Sequence, residues 1–121
     1  MVRIAVVDDE AEGLQLLTRY LARYEAETDE SFTITTFEDG EDISSNYRPE
    51  YDIILLDVQM KSMDGISAAK RIRELDNNVI LIFITNMAQY AIKGYEVDAL
   101  SYLLKPVPYF AFSQELKRSL E

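Results

Sequence analysis

Five short apolar runs recur along the chain, each followed by a helix-like pattern, and this alternation limits the folds open to it. The runs cover residues 2–7, 32–37, 52–56, 79–84 and 100–104. The first, third and fourth read as near-continuous apolar stretches, as strands buried on both faces do. The second alternates Phe32, Ile34 and Thr36 against Thr33, Thr35 and Phe37, which predicts an edge strand. Leu14, Leu17, Leu21 and Tyr24 share one face of a helix starting after Asp9. Ile66, Ala69 and Ile72 predict a second, with Asp64 as its N-cap. Phe112, Leu116 and Leu120 predict a third, and residues 39–47 and 87–93 carry weaker helical patterns. The pattern predicts one α/β domain: a doubly wound five-stranded parallel sheet with helices on both faces.

Composition narrows the chemistry. With 121 residues the chain is long enough for one buried core, and 48% apolar content excludes a disordered segment. Cysteine and histidine are both absent, which removes disulfides, thiolate nucleophiles, Cys/His zinc sites and imidazole bases. The formal net charge of -10 argues against direct nucleic-acid binding, which needs Lys and Arg to neutralise phosphates. It argues equally against an anionic membrane, and favours a basic protein surface or a divalent cation. The longest apolar run, residues 79–84, is far short of a membrane span, and the N-terminal apolar stretch is too short for a signal peptide. A cytoplasmic location is expected.

The polar residues that end the strands carry the functional signal. "VVDDE" places Asp8, Asp9 and Glu10 after the first strand, and "IILLD" places Asp57 after the third. "IFIT" ends on Thr85, and "YLLKP" ends on Lys105. Open parallel sheets bind ligands outside the carboxyl ends of their strands. Carboxylates there suit a hard cation such as Mg2+, with a phosphoryl group completing its shell. A lysine and a threonine can serve the remaining phosphoryl oxygens, and one carboxylate can act as nucleophile. Taken singly, each residue has a plainer reading. Asp8, Asp9 and Glu10 also suit the first turn of a helix, where acids favour the dipole. Asp57 suits a strand-end turn, Thr85 an N-cap and Lys105 the surface. Those readings leave unexplained why all of them fall on one edge of one sheet.

"VVDDE", "IILLDVQM", "IFITN" and "YLLKP", in that order and spacing, resemble the receiver domain of two-component response regulators, across essentially the whole chain. The stretch "FITNMAQYAIKGYEVDALSYLLKPV" is similar to receivers of the LytTR class. The resemblance implies a flavodoxin-like strand order of 2-1-3-4-5 and a cis bond between Lys105 and Pro106. It implies that Asp57 accepts a phosphoryl group from a sensor histidine kinase. It also implies that Asp9 and Asp57 bind Mg2+ directly, Asp8 through water, and Gln59 through its backbone carbonyl. Lys105 and Thr85 would bind phosphoryl oxygens, and Tyr102 would be the aromatic switch. The catalysis implied is confined to phosphorylation and dephosphorylation of the domain's own aspartate. Asn86 and Met87 are expected to crowd the path of attacking water.

Output is expected through the face made by helix four, strand five and helix five, with Tyr90, Tyr95, Val97 and Leu100 in a symmetric homodimer formed on phosphorylation. LytTR-class receivers precede a DNA-binding output domain, so residues 1–121 are expected to be a receiver cut from a longer transcription regulator, with DNA reached only through that further domain. An alternative is a receiver-like interaction module that no longer takes phosphate. A haloacid-dehalogenase-type phosphatase would want an acid two residues after the nucleophile, where Gln59 stands. A nucleotide-binding fold lacks support, because no glycine-rich phosphate loop is present.

Overall fold

A computed structural model describes every residue from Met1 to Glu121. Its strands are β1 (Val2–Val7), β2 (Phe32–Phe37), β3 (Ile53–Leu56), β4 (Ile80–Thr85) and β5 (Ser101–Leu104). The helices are α1 (Ala11–Glu27), α2 (Gly40–Ser44), α3 (Gly65–Leu75), α4 (Ala91–Glu96) and α5 (Tyr109–Ser119), with a 3-10 turn at Ala88–Tyr90. All strands pair in parallel in the order β2-β1-β3-β4-β5. The fold is therefore the doubly wound one that the alternation predicts, with β2 on the edge. No helix is long and apolar enough to cross a membrane.

Alternate residues of the central strands feed two cores, as the period of a strand requires. Ala5, Val7, Ile54, Leu56 and Phe83 face α2 and α3, where Ile43, Ala69 and Ile72 meet them. Ile4, Val6, Ile53, Leu55 and Ile82 face α1 and α5, where Leu17, Leu21 and Phe112 close the layer. Strands buried on both sides cannot alternate in hydrophobicity, which is why runs one, three and four read as continuous. Asp64 caps α3 as its position suggests, accepting from Ser67 N–H at 2.8 Å.

Two helices differ from expectation. The 39–47 pattern yields a helix of only five residues, ended by Asn46 in the left-handed region at φ 59°. The 87–93 pattern begins as a 3-10 turn, and α4 then runs on to Glu96, with Asp98 left-handed at φ 53°. This turn carries Val97 inward. Its side chain is 2% exposed within the core facing α3, so the expectation of Val97 on the output face is corrected. Leu100 is half-buried against the opposite core, whereas Tyr95 is 84% exposed.

Candidate functional site at the carboxyl edge of the sheet

The strand ladder continues one residue past the strands and delivers the polar groups to a common edge. Asp8 N–H donates to Phe37 O at 3.1 Å, and Asp57 N–H donates to Val7 O at 3.0 Å. Lys105 N–H donates to Thr85 O at 2.8 Å. Register thus sets Asp8, Asp57, Thr85 and Lys105 side by side, and the Lys105–Pro106 bond is cis. The β3–α3 loop then folds back across the site. Gly65 N–H donates to Val58 O at 2.7 Å, and a Cβ at Gly65 would lie 1.9 Å from Asp57 O, so only glycine permits this approach.

Lys105 links two of the carboxylates. Its Nζ lies 2.8 Å from Asp8 Oδ2 and 2.8 Å from Asp57 Oδ2. Burial pulls the lysine pKa down, but the hydrogen bonds to Asp57 and Asp8 outweigh it, so the ammonium is held above its ordinary range. Asp57 Oδ1 accepts from the N–H groups of Val58 at 2.7 Å and Gln59 at 3.3 Å. Asp8 Oδ1 accepts from Glu10 N–H at 2.9 Å. Asp57 and Asp8 are both buried, and Thr85 is fully so.

A polar cleft of about 260 Å³ opens beside these groups, lined by Asp9, Glu10, Asp57, Gln59, Thr85 and Asn86. Carboxylate oxygens of Asp8, Asp9 and Glu10 come within 4.8 Å of one another. Four carboxylates therefore meet one ammonium, a donor set suited to a hard divalent cation. Glu10 stands in the sequence with Asp8 and Asp9, as a strand-end carboxylate that also suits a helix start. It precedes α1 without capping it by its side chain, and lines the cleft instead.

Thr85 and Tyr102 converge on one residue. Met87 N–H donates to Thr85 Oγ1 at 3.3 Å, and the Tyr102 hydroxyl donates to Met87 O. The Tyr102 ring packs on Phe83 at 5.6 Å between centroids. Asp39, which no sequence signal tied to the site, fixes the β3–α3 loop. Its carboxylate accepts from Ser62 N–H at 2.8 Å, Met63 N–H at 3.0 Å and Glu41 N–H at 2.9 Å. Burial raises its pKa, yet these backbone donors prevail and hold it below the usual carboxylate range.

A family model described as the response regulator receiver domain matches residues 4–117. The chain belongs to this family. Among curated relatives, the sensory transduction protein LytT of Bacillus subtilis is 35% identical over 120 residues, covering 98% of this chain and 48% of LytT. This receiver thus spans about half the length of the curated relatives it matches. LytT proteins of Bacillus cereus and Bacillus anthracis also match, in keeping with the resemblance to LytTR-class receivers. Among solved structures, the response regulatory domain of protein mrkE from Klebsiella pneumoniae superposes with a TM-score of 0.84 at 25% identity, covering 98% of this chain and 95% of that one. A chain of the CheX-CheY-BeF3-Mg2+ complex from Borrelia burgdorferi does so with a TM-score of 0.84 at 27% identity, covering 99% of this receiver and 90% of that chain.

Proposed function

We propose that this receiver takes a phosphoryl group from a phosphohistidine of a sensor histidine kinase onto Asp57. The observation that carries the reading is the charge imbalance at the carboxyl edge, where Asp8, Asp9, Glu10 and Asp57 meet the single ammonium of Lys105. An Asp57 oxygen attacks phosphorus as the P–N bond to the histidine breaks. The nitrogen leaves with the electron pair, and an acyl phosphate remains on Asp57. Asp9, Asp57 and the Gln59 carbonyl would hold Mg2+, with Asp8 acting through water. When bound, the ion supplies positive charge for the phosphoryl oxygens and the carboxylates. The beryllofluoride and Mg2+ named in the similar Borrelia burgdorferi complex support that assignment.

Lys105 exchanges its Asp57 oxygen for a phosphoryl oxygen, and the Thr85 hydroxyl turns to donate to another. That turn withdraws the acceptor from Met87 N–H, while Tyr102 holds Met87 O. Both changes act on one residue of the β4–α4 connection, which is the route proposed from phosphate to surface. Asn86, on the cleft wall, and Met87 beside it would restrict attacking water. The surface changed is that of α4, β5 and α5, with Tyr90, Tyr95 and Leu100 in a symmetric homodimer. A beryllofluoride-loaded chain should sediment as a dimer; a monomer at high concentration would break that step. In this reading residues 1–121 act in the cytoplasm within a longer transcription regulator, which reaches DNA through a C-terminal output domain.

The direct test is intact mass after incubation with acetyl phosphate. One Mg2+-dependent phosphoryl adduct is expected on the native chain and none on Asp57→Ala. No adduct under any condition would favour the phosphate-independent interaction module.

A further inference from the structure

Asp8 is held by a space that another residue leaves vacant. Gly13 lies on the first turns of α1, and a Cβ there would stand 2.1 Å from Asp8 Oδ2 and 2.8 Å from its carboxyl carbon. The carboxylate therefore occupies the volume a side chain at position 13 would fill. In that seat Oδ2 receives Lys105 Nζ at 2.8 Å and Oδ1 receives Glu10 N–H at 2.9 Å. Asp8 is 1% exposed there and does not line the polar cleft, although Asp9, Glu10 and Asp57 do.

We infer that Gly13 is a positioning residue that sets Mg2+ affinity, by giving Asp8 a resting seat paired to Lys105 and turned from the cleft. The inference rests on the Mg2+ site proposed above. A ligand that needs one arrangement of a group loses apparent affinity in proportion to the time that group spends in another. Asp8 seated under α1 keeps one oxygen on Lys105 and the other on Glu10 N–H, so neither is turned into the cleft. Beneath it lies the packed core of β1, so the open direction on leaving the seat is toward Asp9, whose oxygens already approach it within 4.8 Å. A methyl at position 13 closes the seat and leaves Asp8 on the cleft side, where it serves the metal.

The test is a Mg2+ titration followed by amide NMR shifts of residues 8–10 and 57–59, on the native chain, Gly13→Ala, Gly13→Ser and Asp9→Asn. Both Gly13 variants should bind Mg2+ roughly tenfold more tightly, about 1.4 kcal/mol. The two share a Cβ, so they should agree. A dissociation constant within about twofold of the native value would overturn the inference and leave the site reading intact. Weaker binding in either variant would overturn it as well, because an Asp8 displaced from its seat would then fail to serve the metal. A native chain whose shifts ignore Mg2+, or an Asp9→Asn chain that binds as well as the native one, would remove the site reading and the inference together.

Discussion

The two edges of the sheet use the same kinds of side chain to opposite ends. At the amino edge, Arg73 spends its donors on the chain's own carbonyls: Val97 at 2.7 Å, Val79 at 2.7 Å, Asp98 at 3.1 Å and Asp76 at 3.3 Å. Asp76 is matched as closely, accepting from the Tyr47 hydroxyl at 2.8 Å, Asn78 N–H at 3.0 Å and Val79 N–H at 3.1 Å. Arg73 and Asp76 thus both find their partners within the fold. At the carboxyl edge one lysine serves two carboxylates, and the surplus acidic groups face an open polar cleft. A partly buried charge is thus no sign of function by itself. A cluster that the chain leaves unneutralised, with an opening beside it, is the better sign.

The largest effect is expected at Arg73. Replacing it by alanine strips partners from four backbone carbonyls around the α3–β4 and α4–β5 connections, at a cost of roughly 3 kcal/mol in urea unfolding. The carboxyl edge lies at the other end of the strands. The increment in stability that Mg2+ supplies should therefore be the same in Arg73→Ala as in the native chain, since distant sites add. A Mg2+ increment that shrinks with the Arg73 network would mean the two edges are coupled through the sheet, and that the division drawn between them is false.

Sequence reading found the carboxyl edge more easily than the amino edge, for a physical reason. A strand buried on both faces announces its own end, so the first polar residue after it is placed to within one position. Runs 2–7 and 32–37 coincide with β1 and β2, and the other three strands start one residue later than their runs. Asp8, Asp57, Thr85 and Lys105 followed directly. Arg73 carries no such mark: its acceptors Val97 and Asp98 lie across the α3–α4 interval, and their carbonyls are invisible in the residue names. Asp39 could have been read as the N-cap of a weak helix before Gly40, and it does cap α2, but its hold on Ser62 and Met63 is tertiary. Gly13 carries no mark in the sequence of its contact with Asp8, because the approach depends on how α1 packs over the end of β1. Val97 is buried because α4 runs to Glu96, beyond the 87–93 pattern, and the chain turns inward where it stops.

A smaller change sharpens the same contrast through pH. Burial, then the hydrogen bond to Asp76, hold the Tyr47 hydroxyl well above its ordinary value of 10.0. A tyrosine raised in the folded state contributes stability that is complete below the unfolded value. That contribution is lost as pH climbs from there through the folded value, because the unfolded chain releases its proton first. Tyr47→Phe removes one hydrogen bond to a buried carboxylate and should cost roughly 1.5 kcal/mol at pH 8. The native chain should then lose its advantage over the variant as pH rises beyond 10, so their urea midpoints converge. The variant keeps some alkaline slope, since burial and the hydrogen bond to Glu27 push Tyr109 up to about 12. Mg2+ should shift both midpoints equally, because its site shares no group with Tyr47. Midpoints that stay parallel from pH 8 to pH 11 would show that Tyr47 ionises as freely in the fold as outside it. The amino edge would then be less tightly matched than its hydrogen bonds indicate.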